Sequence, residues 1–204
     1  MVRAKETRYQ VPGWGVGELW TSDRAVLAHA FAFGAAAGSE PHAASRPQAP
    51  PLEGAASPPL GTVLGQQARV GNDSVPTPRQ PSTGAELDAN VLVARVAAYL
   101  AGADMAFDDV PLDLGDCTAF QQAVAFSLRA IPRGDVVGYG ELAAVAGYPG
   151  AARAVGTFCA RNPFALFLPC HRVVAADGIG GYGSAGTAVK RRLLALEGVT
   201  GLAA

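Results

Sequence analysis

Cysteine is scarce in this chain: three residues in 204, at positions 117, 159 and 170. An odd number without close pairing argues against a disulfide-stapled scaffold, and no Cys-x-x-Cys pair offers a zinc framework. Free thiols fit a reducing compartment, so a cytoplasmic location is expected. Long apolar runs are also lacking. The longest, Ala25 to Ala37, is interrupted by His29 and is too short to cross a bilayer. The opening MVRAKETRYQ carries charge with no apolar run behind it, which argues against a secretory leader. No internal repeat is visible. Net charge is only −1, yet it is unevenly placed. Residues 1–116 hold 8 basic and 13 acidic side chains, and residues 117–204 hold 8 and 4. A basic half is a weak pointer to a polyanionic partner; ordinary variation between domains accounts for it equally well.

Composition divides the chain. Residues 9–33 read as paired strands, punctuated by Gly13, Gly15 and Gly17 and turned at Ser22-Asp23. Residues 34–84 are rich in Pro, Ala, Gly and Ser, with PQAPP, ASPPL and VPTPRQPS. That composition predicts a disordered insertion, with Val63–Leu64 and Val70 as a brief ordered piece. From Glu86, the spacing of Leu87, Val91, Ala94 and Ala98 predicts a helix ending near Gly102. Asp108 to Asp116 forms an acidic link. These segments form an α/β N-terminal domain, 1–116.

Residues 117–204 predict a second, mostly helical domain. Thr118 and Gln121 make a capping box, and Phe120, Val124 and Leu128 share one face of the helix behind it. A short helix over Glu141–Ala146 and another over Ala151–Arg161, joined by a turn at Tyr148-Pro149-Gly150, give a helix-turn-helix pattern. A final helix spans Val189–Glu197, with Gly198 past its end.

The chemistry concentrates in Phe167–Val174, where an apolar strand is expected to deliver Cys170, His171 and Arg172 into a second apolar strand. A thiol attacks only as thiolate, so it needs nearby positive charge or a base. Neighbours on an extended chain point opposite ways, so Cys170 and His171 need a turn or a bridging water, and an acid from elsewhere to hold the imidazole. From these residues alone, Cys170 reads more readily as a small buried hydrophobe than as a nucleophile. A sequence-specific helix-turn-helix regulator and a turning-over cysteine hydrolase also remain open.

PCHRVV resembles the active-site signature of the O-6-alkylguanine-DNA alkyltransferases. FQQAV (120–124), IPRGDVVGYGELA (131–143), ARAVG (152–156), RNP (161–163), GYG (181–183) and LLALEG (193–198) resemble the same family in the same order. The resemblance covers about residues 117–199. It implies a ribonuclease-H-like N-terminal domain and a winged-helix-like helix-turn-helix in the C-terminal one. It implies repair of double-stranded DNA by direct reversal, with an alkyl group moved irreversibly, once per molecule, from O-6-alkylguanine or O-4-alkylthymine to Cys170. His171 would take the thiol proton through a water, Glu197 would orient the imidazole, and Asn162 would tie the recognition helix to the active-site segment.

The resemblance further implies that Tyr139 helps rotate the target phosphate and donates toward the leaving guanine. Arg153 would fill the gap left by a flipped base. Ala152, Ala154 and Gly156 would let the helix press into the minor groove. Arg161, Arg172, Lys190 and Arg191 join Arg153 as expected phosphate contacts. Tyr182, Gly183 and Ser184, within Gly180–Gly186, would line the guanine pocket. Here the chain departs from the family pattern, with Tyr182 one position early and Ser184-Ala185 where glycines are common. Cys170 separates the chain from relatives that lack the cysteine and only bind lesions. Some relatives hold structural zinc in the N-terminal domain. Residues 1–116 offer only His29 and His42 and no cysteine, so neither metal nor other cofactor is expected. A monomer without membrane association is expected.

Overall fold

A computed structural model describes residues 4–33 and 87–201. The expected disordered insertion at 34–84, with its Val63–Leu64 and Val70 piece, lies outside the described residues. Three antiparallel strands open the chain: β1 (Lys5–Val11), β2 (Gly15–Thr21) and β3 (Val26–Phe33), in the order β1-β2-β3. The pairing begins at Lys5, earlier than the composition marks. Tyr9 stands opposite Gly17, and a Cβ on Gly17 would lie 2.2 Å from the Tyr9 ring. Only glycine fits there, because the ring lies across the strand.

Helix α1 (Ala89–Leu100) follows, capped by Asp88, whose side chain accepts from the Asn90 N–H at 2.8 Å. Its buried face is Leu92, Val96, Tyr99 and Leu100. The acidic link does not hang free: Val26 N–H donates to Pro111 O and Asp113 N–H to Val26 O, both at 2.9 Å, so it runs beside β3.

Helix α2 (Ala119–Arg129) starts at the expected capping box, with Gln121 N–H donating to Thr118 Oγ1 and Thr118 N–H to Gln121 Oε1. Val124 and Leu128 are fully buried, and Phe120 packs edge-on to Tyr148. Strand β4 (Val137–Gly138) leads into α3 (Tyr139–Val145) and α4 (Ala152–Ala160). The turn between these helices carries Gly147 and Gly150 at positive φ. After α4, Pro163 and Ala165 meet β3, with His29 N–H donating to Pro163 O at 2.7 Å.

The expected strand through Phe167–Leu168 does not form. Leu166 takes φ 69°, Ala165 bridges back to Leu168, and Cys170–Arg172 makes a 3₁₀ turn. Only then does β5 (Val173–Val174) pair, parallel to β4. A tight i→i+3 turn turns successive side chains by about a third of a rotation, so Cys170 and His171 are not opposed as on a strand. Helix α5 (Gly186–Leu196) starts three residues earlier than expected, and Glu197 caps its C-terminal end.

Apolar side chains from the sheet, from α1 and from the later helices meet in one cluster, including Leu19, Val26, Val96, Leu128, Phe167, Leu168 and Leu193. The segment carrying Cys170 joins that cluster through Phe167, Leu168, Cys170 and Val173. Among the described residues, no helix is long and apolar enough to cross a membrane.

Candidate functional site

Cys170 is buried at the start of the 3₁₀ turn, on the wall of a cavity of about 290 Å³. Tyr139, Gly156, Cys159, Ala160, Gly181, Tyr182 and Gly183 complete that wall. The volume is near the lower end of small-molecule sites, roughly 300 to 1,000 Å³. Helix α4 supplies one side and the loop before α5 the other. Gly180 sits at φ +70°, and a Cβ there would come within 3.3 Å of the Tyr139 hydroxyl.

Asn162 lies just past α4, after the capping Arg161, and holds the segment that follows. Its Oδ1 accepts from the Phe164 N–H at 2.9 Å, and its Nδ2 donates to Leu168 O at 2.9 Å and to Cys170 Sγ at 3.2 Å. A donor on sulfur favours the thiolate. Burial opposes it and pushes the Cys170 thiol up from its ordinary value, against the Asn162 bond and the charge of Lys190.

Glu197 lies just past α5, buried, and its carboxylate gathers four hydrogen bonds. Oε1 accepts from Tyr99 Oη at 2.6 Å, from Arg172 Nη2 at 2.7 Å and from His171 Nε2 at 3.1 Å. Oε2 accepts from Arg172 Nε at 2.9 Å. Burial alone would raise this carboxyl, but the bonds from His171, Arg172 and Tyr99 hold it well below the usual carboxylate range. That also answers its position at the negative end of a helix dipole: the arginine fork outweighs the dipole.

An ionised carboxylate only accepts, so Nε2 must carry the imidazole hydrogen and Nδ1 keeps the lone pair. His171 Nδ1 and the Tyr182 hydroxyl are buried without a hydrogen-bond partner among the described residues. The two rings meet edge to face, 6.4 Å between centroids. Burial lowers the His171 pKa, partly offset by Glu197. The thiol and the imidazole therefore both rest neutral near pH 7. Burial also raises the Tyr139 pKa, so its hydroxyl remains a donor.

The structure brings Cys170, His171, Glu197, Asn162, Tyr139, Tyr182 and Gly183 together. Ser184 is exposed and does not line the cavity, unlike its expected pocket role. Arg153 and Ala154 are exposed on α4, Ala152 and Gly156 are half-buried, and Val155 and Cys159 turn inward. Arg161 and Arg191 are exposed. Two expected phosphate contacts are corrected. Arg172 is committed to Glu197 and to Ile131 O at 2.6 Å. Lys190 is 0 % exposed and donates to Val173 O at 2.5 Å and Gly181 O at 3.0 Å, fixing the pocket loop to β5. Their charges are spent inside the fold.

Sequence reasoning missed Tyr99, the structural use of Arg172 and Lys190, and the second thiol of the cavity. Burial pushes Cys159 up to about 12, so that thiol stays protonated. A tyrosine on the apolar face of α1 was the one available signal, since a buried tyrosine hydroxyl usually requires a partner.

Residues 119–199 match the family model described as 6-O-methylguanine DNA methyltransferase, DNA binding domain. The chain is 41% identical over 109 residues to the methylated-DNA–protein-cysteine methyltransferase of Methanothermobacter thermautotrophicus, covering 53% of this chain and 61% of that protein. It is 50% identical over 106 residues to the protein of the same name from Mycobacterium tuberculosis, covering 52% and 62%. These matches thus span about three fifths of each curated relative. Among solved structures, Mycobacterium tuberculosis OGT in complex with DNA aligns with a TM-score of 0.61 and 31% identity, over 95% of this chain and 92% of that one. The O6-methylguanine-DNA methyltransferase of Pyrococcus kodakaraensis, at 23% identity and a TM-score of 0.57, shares the mixed α/β fold.

Proposed function

Since the chain belongs to the methylated-DNA–protein-cysteine methyltransferase family, we propose that it repairs DNA by moving an alkyl group from O-6-alkylguanine, or O-4-alkylthymine, onto Cys170. The observation that carries this reading is the buried chain of contacts from Glu197 to His171 beside a cavity walled by Cys170. Glu197 keeps the hydrogen on Nε2. Nδ1 then takes the thiol proton, directly or through one water, as the substrate arrives. The thiolate attacks the alkyl carbon, the carbon–oxygen bond breaks, and its electron pair leaves on the guanine oxygen. Tyr139 donates toward that guanine. The product is an S-alkyl thioether, which does not hydrolyse readily, so each molecule acts once. A neutral resting pair suits this role, since a standing thiolate would react with other electrophiles before the lesion arrived.

Double-stranded DNA is the proposed partner. Arg153 would replace the flipped base in the stack, and Ala152, Ala154 and Gly156 would allow close approach in the minor groove. Arg161 and Arg191 would supply phosphate contacts. Tyr182 and Gly183 would face the guanine. We further read residues 1–116 as a ribonuclease-H-like domain and 117–204 as the winged-helix-like, DNA-binding domain, in a cytoplasmic monomer. The paired sheet with α1, and the α3–α4 pair on α2, support that division.

Intact mass after incubation with an oligonucleotide carrying O-6-methylguanine tests the reading. The expected result is a gain of one methylene, stopping at one per molecule and absent in Cys170→Ser. Lesion-selective binding without a mass gain would overturn it.

A further inference from the structure

We infer that Tyr99 is a positioning residue for chemistry at Cys170: from a helix outside the matched segment 119–199, its hydroxyl holds the Glu197–His171 pair in register. The inference rests on the reading of Cys170 as the acceptor. Tyr99 is 1 % exposed. A phenylalanine would pack at that position without burying a hydroxyl, and a buried hydroxyl is costly unless partnered. Here it is partnered by the site itself. It donates to Glu197 Oε1 at 2.6 Å, and its oxygen stands 3.3 Å from His171 Nε2.

The ring is held from two sides. Phe107 meets it edge-on with centroids 5.7 Å apart, and the Arg133 guanidinium lies 5.1 Å from the ring centre. Arg133 also donates to Ala103 O, just past α1, and to Leu196 O, the residue before Glu197, both at 2.9 Å. One arginine thus fixes the end of α1 against the end of α5, and so fixes the distance over which Tyr99 reaches the carboxylate.

The geometry has a chemical consequence. When Nδ1 takes the thiol proton, the imidazole becomes a cation and its Nε2–H a stronger donor. The acceptors within reach of Nε2 are Glu197 Oε1 and the Tyr99 oxygen. Tyr99 therefore stabilises the protonated ring in two ways: it accepts a share of that hydrogen, and it keeps Oε1 turned toward the ring rather than wholly into the Arg172 fork. Burial, then the Glu197 charge, keep the phenol protonated far above its ordinary range, so the donor persists at any working pH.

The test is Tyr99→Phe, which removes one oxygen and leaves the ring. Two rates are read: alkylation of Cys170 by iodoacetamide across pH, located by peptide mapping, and single-turnover transfer from free O-6-benzylguanine. The expected result is a higher pH midpoint for thiolate formation. Transfer at saturating substrate should slow by roughly tenfold or more, the loss of one hydrogen bond to a charged group. The half-saturating concentration should not move. An unchanged or lowered midpoint with an unchanged rate per folded molecule would overturn the inference and leave Tyr99 a core residue. Phe107→Leu loosens the same packing without touching the hydroxyl. It should lower the unfolding temperature and leave the midpoint in place; a shifted midpoint there would also overturn the inference. If the wild-type protein takes no alkyl group from the guanine while Tyr99→Phe still raises the iodoacetamide midpoint, the proposed substrate fails and the positioning role stands.

Discussion

Glu197 Oε1 lies 3.1 Å from His171 Nε2, and that contact decides which ring nitrogen can act as a base. Because the carboxylate is held ionised by Arg172 and Tyr99, the hydrogen must sit on Nε2 and the lone pair on the buried, unpartnered Nδ1. A ring in the other tautomer would present N–H where a proton has to be received.

Glu197→Gln removes the charge and leaves the fork of Arg172 without its anion. We expect alkyl transfer to slow by roughly a hundredfold, and stability to fall by about 3 kcal/mol, typical for breaking a buried ion pair on one side. Single-turnover mass measurements and urea unfolding read the two effects separately. Wild-type transfer in this variant would remove the carboxylate from the mechanism.

Arg153→Ala should weaken repair of duplex DNA by roughly tenfold or more, the scale of unstacking a base. Reaction with free O-6-benzylguanine should stay nearly normal. Equal loss on both substrates would refute the finger role. Arg161→Ala should instead reduce the slope of log affinity against log salt by about 0.9, one phosphate contact.

Cys159 shares the cavity with Cys170, yet its thiol is pushed up to about 12. Peptide mapping after repair should therefore place the alkyl group on Cys170 alone, and iodoacetamide at pH 8 should spare Cys159. Alkyl found on Cys159 would mean that this wall of the cavity is more polar than its burial indicates.

His29 is 2 % exposed and its pKa is lowered to about 4, chiefly by burial. Its Nδ1–H donates to Ala165 O at 2.6 Å and its Nε2 accepts from Tyr9 Oη at 2.5 Å. The unfolded chain binds a proton near pH 6.5 that the folded chain refuses until about pH 4. Stability should therefore fall as pH drops through that window, by about 3 kcal/mol from His29, and level off below it as far as this residue is concerned. Glu197, held low, adds its own loss only below its ordinary range near 4.5. Urea midpoints from pH 7 to pH 4.5 measure the slope, and His29→Gln should flatten it. A slope unchanged by the substitution would assign the loss to other groups, His171 first.

Much of the local structure was legible because its causes are local. The Thr118–Gln121 capping box fixed the start of α2. Helical spacing located α1 but not its buried face: Val91 and Ala94 are exposed, and Leu92, Val96 and Tyr99 turn inward. Gly147 and Gly150 marked the turn between α3 and α4. The segment before Cys170 was misread for an equally local reason. Phe167 and Leu168 are apolar enough for a buried strand, but Leu166 at φ 69° and the Asn162 side chain on Phe164 N–H and Leu168 O fold the segment back on itself. Run length and hydrophobicity do not encode a left-handed backbone.

The amino-acid order by itself determined the local elements and set a cysteine beside a histidine; only its resemblance to the alkyltransferases singled out the asparagine before a proline and the glutamate at the end of the last helix. The tertiary structure alone decided what holds them. Arg172 and Lys190 are cations in a basic half and read as surface charge, yet packing turns one onto Glu197 and buries the other against two carbonyls. Tyr99 and Glu197 are 98 positions apart. Periodicity, caps and turn residues act over a few residues, whereas such a contact depends on how α1, the 3₁₀ turn and α5 share one core. No short-range rule reaches across that distance, so the site's proton chemistry became readable only once the chain was folded.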